Sequence, residues 1–147
     1  MLAVRLKMPA ENVIIDQQTQ EVAAIGIIAE GVKAVAFPLF VRRLCYLVFW
    51  YRLPEDAKDY DGIFTLLLAG NRIAEMAITL NFGNEVAHRT LVRIEGLLIP
   101  EAGTLEFSIV AGGVTASYSV EAQTVQVADP VSQQSAAPVP SETGNTR

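Results

Sequence analysis

The residues of this chain that could serve nucleophilic or acid–base catalysis are few and widely separated. His88 is the only histidine and Cys45 the only cysteine among 147 residues. A Ser-His-Asp or Cys-His arrangement would need His88 beside a serine or beside Cys45. His88 instead follows a polar segment and precedes Arg89, whereas Cys45 belongs to an apolar stretch. The pattern predicts that the chain is not an enzyme.

The acidic residues of the segment around position 59 are spaced almost as in a calcium loop. An EF-hand needs oxygen ligands at positions one, three and five, a glycine at six and a glutamate at twelve. Asp56, Asp59 and Asp61 lie close together before Gly62, but Asp59 and Asp61 have no third partner before this glycine, and position twelve is Gly70. One histidine and one cysteine are also too few for a zinc site. The sequence therefore predicts a solvated acidic loop, with neither a metal nor another cofactor.

The most apolar segment, from residue 41 to residue 53, contains the candidate binding residues. Strand periodicity places Tyr46, Val48 and Trp50 on one face, with Arg42 at its start. The opposite face is apolar as well, so one face must be covered. The loop of residues 29–40, a second copy of the chain and a different protein are three alternatives. Tyr46 and Trp50 with Arg42 would also suit a stacked sugar.

The elements that must position these residues are short alternating strands. Leu105, Phe107 and Ile109 alternate with polar residues, and Gly112-Gly113 then separates them from a second alternating run. A period of two with a Gly-Gly turn is typical of an antiparallel hairpin. About eight such strands, with turns at intervals of about ten residues, predict an all-β fold. We expect an antiparallel two-sheet β-sandwich, immunoglobulin- or fibronectin-like in outline.

The composition indicates which classes of binding partner are unsuitable and where the folded domain ends. The net charge of −5 and the pI near 4.8 argue against nucleic acid and against an anionic membrane surface. A single cysteine excludes an internal disulfide, and the chain is expected to be cytoplasmic. We expect residues 1–128 to form the sandwich. Residues 129–147 are rich in proline and serine and are expected to form a disordered tail.

Two short motifs resemble an uncharacterised family of small bacterial β-sandwich proteins, a domain of unknown function. They are Asn12-Val-Ile-Ile-Asp16 and Pro100-Glu-Ala-Gly103, the second followed by Phe107. In that family a hairpin near the N-terminus and a Pro-x-x-Gly turn before a Phe-bearing strand frame the sandwich. The resemblance implies the fold over residues 11–127 and assigns no reaction.

Two functional hypotheses follow from the sequence. The first is a non-enzymatic interaction or assembly module that binds another protein or forms a homodimer. The second is a carbohydrate-binding or carbohydrate-processing sandwich that uses an aromatic sheet face. In both hypotheses the candidate residues are Arg42, Tyr46, Val48 and Trp50. Burial of the aromatic pair in a symmetric contact would favour the first hypothesis, and a groove lined by both with paired acids would favour the second.

Overall fold

The structure is a computed structural model that describes residues 1–28 and 31–125 of the chain. Within these ranges the secondary structure consists of nine β-strands and contains no helix. The prediction of an all-β chain is therefore confirmed, with nine strands where about eight were expected. In chain order they are β1 (Ala3–Ile15), β2 (Val22–Ile27), β3 (Val32–Ala34), β4 (Leu39–Tyr51), β5 (Asp59–Leu68), β6 (Asn71–Asn81), β7 (Ala87–Ile99), β8 (Gly103–Ala111) and β9 (Val114–Thr124).

The strands form two sheets, as the sequence predicted. One has four strands in the order β2-β1-β4-β7, and the other has five in the order β3-β9-β8-β5-β6. Every pair is antiparallel except β3 and β9, which run parallel. The expectation of a wholly antiparallel arrangement is thus wrong at that one pair. The five-stranded sheet is also curled.

One core cluster contains side chains from both sheets. Phe107, from the strand with the clearest alternation, is fully buried there, as its position in the pattern predicted. Leu44 of the four-stranded sheet and Phe64 of the five-stranded sheet belong to the same cluster. Alternate side chains of each strand therefore point into the space between the two sheets, and their burial stabilises the fold.

A second, smaller cluster lies on the other face of β4. Cys45 and Leu47 are buried there with Ala10 and Val13 of β1. β1 pairs with β4 only as far as Ala10, and beyond that residue it pairs with β2 alone. The hairpin formed by the end of β1 and β2 therefore folds over the outer face of β4.

Two arginines of β7 hold this hairpin across β4. Arg93 donates to the carbonyl oxygen of Val13 at 3.1 Å, and Arg89 donates to the carbonyl and side-chain oxygens of Gln20 at 2.9 and 3.0 Å. β4 lies between β1 and β7 in the sheet, so these bonds cross over it. The cover of this face is consequently the N-terminal hairpin of the same chain.

Two further expectations concern the ends of the chain and membranes. In residues 1–28 and 31–125, no helix is long and apolar enough to cross a membrane. The predicted tail of residues 129–147, and with it the domain boundary at residue 128, lies outside the described residues.

Candidate functional site

Three of the four candidate residues lie in the core. Tyr46, Val48 and Trp50 have relative exposures of 1%, 0% and 1%. The ring of Tyr46 lies between the two sheets, with its centroid 5.3 Å from that of Phe107, and its hydroxyl donates to the carbonyl oxygen of Ala116 at 3.0 Å. Burial raises the pKa of Tyr46 above its ordinary value, so the phenol remains protonated.

The polar atom of Trp50 is also bonded internally. Its Nε1 donates to Oγ1 of Thr90 at 3.0 Å, and Thr90 is itself buried. A buried indole needs such an acceptor. In this structure the predicted aromatic face of β4 is covered by the protein's own five-stranded sheet, and only Arg42 of the four candidates reaches the surface.

Arg42 is exposed because β4 changes the face that it buries at this point. Leu39 and Val41 point toward the core, as do Leu44 and the alternate residues after it. Val41 and Leu44 are three positions apart, and side chains an odd number of positions apart in a regular strand point to opposite faces. Because both point toward the core, the alternation must reverse between them. β7 reverses at the same level, where Gly96 has a φ of +74°. Arg42 and Arg43 both point outward at the reversal.

A cleft of about 690 Å³ opens beside this reversal. Its floor is apolar and its rim is polar, an arrangement common in binding sites. Strands of both sheets contribute to the wall, together with the segment in which β1 leaves β4. The floor comprises Ile28, Val32, Leu39, Val41, Leu44 and Ile99, and the rim comprises Glu11, Asn12, Lys33, Phe40, Arg42 and Arg43.

The rim carries more positive than negative charge. Lys33, Arg42 and Arg43 are cationic and Glu11 is anionic, so the lining carries 3 − 1 = +2, and Glu95, which pairs with Arg43, reduces the local charge to +1. Arg43 is partly engaged, since its guanidinium lies 3.2 Å from a carboxylate oxygen of Glu95. Among the described residues, Lys33 and Arg42 form no ion pair. The chain as a whole has a net charge of −5, so the cleft is a cationic site on an acidic protein.

An exposed aromatic side chain extends the apolar surface beyond the cleft. Phe40 is 65% exposed and lies over Gly96, where an added Cβ would be 3.6 Å from the ring. Its cross-strand neighbour Leu98 is 54% exposed. Phe40 and Leu98 therefore form a solvent-exposed apolar pair at the rim.

One wall of the cleft is the short strand β3, which is the edge of the five-stranded sheet. Gly31 precedes this strand with a φ of +112°, and a Cβ on it would lie 2.3 Å from the carbonyl oxygen of Glu121. Only glycine fits so close to a neighbouring backbone. The N–H of Val125 donates to the carbonyl oxygen of Ala34 at 2.8 Å and fastens the other end of β3.

The residues that could have supported catalysis are not brought together. His88 lies in β7 instead of a polar connection, with its ring centroid 5.3 Å from that of Phe82. Cys45 is a buried free thiol in the smaller cluster. In the part of the chain that the structure describes, no group of three or more His, Cys, Asp or Glu side chains could hold a metal ion.

Sequence reasoning identified one rim residue and missed the others. Arg42 stands out in the sequence because it precedes an aromatic strand, whereas Lys33 and Phe40 lie in the segment of residues 29–40 that the sequence predicts to be a loop. The two consecutive arginines after Phe40 were the available signal, because two adjacent charges interrupt the alternation of a strand. No protein-family model matches the chain, and no curated protein is significantly similar to it.

Proposed function

We propose that this protein is a non-enzymatic interaction module that binds an extended segment of another protein in the cleft beside Arg42. The segment carries acidic residues that pair with Lys33 and Arg42, and an apolar side chain that enters the floor. The single observation that carries this proposal is the combination of an apolar floor and a cationic rim on a protein of net charge −5.

The position of β3 supports a peptide over a small molecule. In residues 1–28 and 31–125, β9 is the only strand that pairs with β3, so one side of β3 is a free edge. An extended peptide can add to such an edge through its backbone, while alternate side chains enter pockets. Val32 and Lys33 belong to both the strand and the cleft wall. A segment pairing with β3 would thus reach the floor and the cations together.

The exposed pair Phe40 and Leu98 supplies a second apolar contact for the same partner. Interfaces are enriched in aromatic residues and arginine, and a few such residues carry most of the binding energy. Arg42 and Phe40 are of these types and lie on the same rim. The carbohydrate alternative depends on Tyr46 and Trp50 together with Arg42, and the faces of both aromatic rings are occupied by core side chains.

The sandwich architecture and the cellular location are parts of the same proposal. A shared core between two sheets supports an immunoglobulin- or fibronectin-like sandwich, although β3 runs parallel to β9. The single buried cysteine suits a reducing compartment, and we place the interaction in the cytoplasm of a bacterium.

Selection of peptides from a random displayed library on the immobilised protein tests the proposal. We expect enriched peptides that combine two or more acidic residues with an aliphatic or aromatic one. Their affinity should fall at least about tenfold in Arg42→Glu and in Lys33→Glu, because each reversal turns an attraction into a repulsion. Higher salt should weaken binding as well.

Arg5→Glu is the matched control for these variants. It makes the same charge change on β1 near Val4, which pairs with the opposite end of β4 at Trp50. Peptide affinity should be unchanged in this variant. Enriched peptides without acidic residues, or equal losses in Arg5→Glu and Arg42→Glu, would contradict the proposal.

A further inference from the structure

The four edge strands of the two sheets differ in how they are protected from pairing with other chains. β2 has six residues and contains Gly26 at a φ of +66°, and β3 has only three residues. β7 is long but carries Arg89, Arg93 and Glu95. Short length, irregular backbone and charge are the usual means by which proteins prevent edge-to-edge association. These features make β2, β3 and β7 poor edges for pairing with a whole strand of another sheet, although the three residues of β3 can still pair with a short peptide.

The fourth edge, β6, has none of these features in its second half. It has 11 residues, and its two charged residues, Arg72 and Glu75, pair with each other near its start. From Met76 to Leu80 the strand contains no charge, glycine or proline. The only irregularity in its pairing with β5 lies between Leu66 and Leu67 of β5, opposite the start of β6 and outside this segment. In the ranges 1–28 and 31–125, β5 is the only strand that pairs with it.

An apolar row on the outer face of the five-stranded sheet ends at this edge. Ala77 of β6 lies opposite Ile63 of β5, which lies opposite Val110 of β8. Both of these apolar side chains point away from the core, so Ile63 is 49% exposed and Val110 is 47% exposed. An exposed apolar row that stops at an unprotected edge would be continued by a strand placed beside it.

We propose that β6 pairs antiparallel with β6 of a second copy of this chain, with Ala77 opposite its own counterpart. The sheets then join into one ten-stranded sheet, and the two apolar rows meet at the symmetry axis. Met76 lies opposite Ile78, and Glu75 lies opposite Thr79, whose hydroxyl donates to the carboxylate. An isologous contact of this kind closes as a dimer.

The sequence of β6 selects this register over its neighbours. Opposed residues must share a face, so alternative registers differ by shifts of two residues. Centring the axis on Glu75 places two like charges opposite each other, which is destabilising. Centring it on Met76 places Glu75 opposite Ala77 and interrupts the apolar row. The axis at Ala77 keeps the row intact and opposes no like charges.

Sedimentation of the full chain at tens of micromolar tests the association. We expect the wild type to be a dimer, and Ala77→Lys to associate at least about tenfold more weakly, because two ammonium groups would face each other. Ala77 is exposed, so this variant should keep its fold, as judged by circular dichroism. Val110→Lys places the same charge on the same face two strands from the edge and should remain dimeric.

Oxidative crosslinking tests the register without a charge change. Ala77→Cys should form a disulfide-linked dimer, since directly opposed residues lie within the Cα separation that a disulfide bridges, about 4.4–6.8 Å. In the same register Thr79→Cys is four residues from its counterpart and should not crosslink. Cys45 is buried and serves as the internal negative control. A monomeric wild type, an Ala77→Lys variant that associates as tightly as the wild type, or crosslinking at Thr79→Cys in preference to Ala77→Cys would overturn the proposal.

Discussion

β4 has arginines at both ends, and they differ in almost every physical respect. Arg42, near the start, is exposed at the rim of the cleft, whereas Arg52, immediately after the end, is 2% exposed. Arg52 occupies the next inward position after Trp50, so the alternation of the strand carries it into the protein. Its guanidinium donates to four backbone carbonyls at 2.9 to 3.2 Å, those of Glu85, Leu53, Pro54 and Asp56.

The difference shows that the backbone around an arginine decides its role. At the end of β4 two loops aim their carbonyl oxygens at one point, and a buried guanidinium satisfies them, with the ring of Phe82 5.6 Å from its central carbon. At the start of β4 the strand reverses its faces, and Arg42 projects into solvent. A buried arginine that donates to several backbone carbonyls stabilises loops, while an exposed one remains available to a ligand.

The largest expected effect lies between the two arginines, in the buried half of β4. Trp50→Ala should lower the free energy of unfolding by about 3–5 kcal/mol, because it leaves a cavity and an unbonded Thr90 hydroxyl. Phe40→Ala removes a ring from the exposed half and should change stability by less than about 0.5 kcal/mol. Denaturant unfolding measures both. Similar losses of stability in the two variants would mean that the two halves of β4 contribute equally to the core.

The arginines themselves give the second prediction. Arg52→Ala should cost about 2–4 kcal/mol, since four carbonyls lose a charged donor at once. Arg42→Ala should leave stability within about 0.5 kcal/mol of the wild type and should weaken peptide binding. Thermal or denaturant unfolding, followed by titration with a selected peptide, separates the two effects. An unchanged stability of Arg52→Ala would show that water replaces its hydrogen bonds.

The wall of the cleft can be tested through its glycine. Gly31→Ala should destabilise by about 2–3 kcal/mol, because strain at positive φ adds to a collision with Glu121. Gly113 has a φ of +74° with open space around it, so Gly113→Ala should cost only about 1 kcal/mol of strain. Hydrogen exchange at the N–H of Val125 should accelerate in Gly31→Ala alone. Equal behaviour of both variants would mean that β3 is not held by this contact.

The strands themselves could be predicted because alternation and turn residues are local. The hairpin of β8 and β9 and the buried position of Phe107 both followed from a period of two. The first part of β1 was missed because Arg5 and Lys7 obscure its alternation. It forms a strand because β4 supplies a pairing partner, which is a tertiary effect.

The cleft could not be predicted because it depends on pairings distant in sequence. Two apolar faces on β4 indicated that one face needed a cover, but the covers are the second sheet and the N-terminal hairpin, and neither is one of the three covers that were expected. The face reversal at Arg42 requires β7 to reverse at Gly96, more than 50 residues away. No local pattern contains that information. Arg52 was similarly ambiguous, since its carbonyl partners come from loops whose positions only the fold determines.

The smallest expected effect is a pH dependence at the buried end of β4. His88 lies opposite Trp50, and burial lowers the pKa of its imidazole below the ordinary value of 6.5. The charge of Arg89 lowers the pKa further, while a hydrogen bond with the backbone of Asn81 opposes the shift. The exposed half of β4 carries no histidine, so this dependence belongs to the buried end alone.

The sign of the effect follows from proton binding in the two states. Well above pH 6.5 the imidazole is neutral whether the chain is folded or unfolded, and His88 contributes no dependence. As the pH falls below 6.5, the unfolded chain binds a proton that the folded chain resists, so the free energy of unfolding decreases until the lower folded pKa is passed.

Carboxylates add their own dependence at lower pH, and a variant is needed to subtract it. His88→Gln keeps a polar side chain of similar length without a titrating group. We expect the wild type to lose more stability than His88→Gln between pH 7.5 and pH 5, measured by denaturant unfolding. Parallel stability curves for the two proteins would show that the histidine is solvated enough to keep its ordinary pKa, and that the buried end of β4 opens to water at its edge.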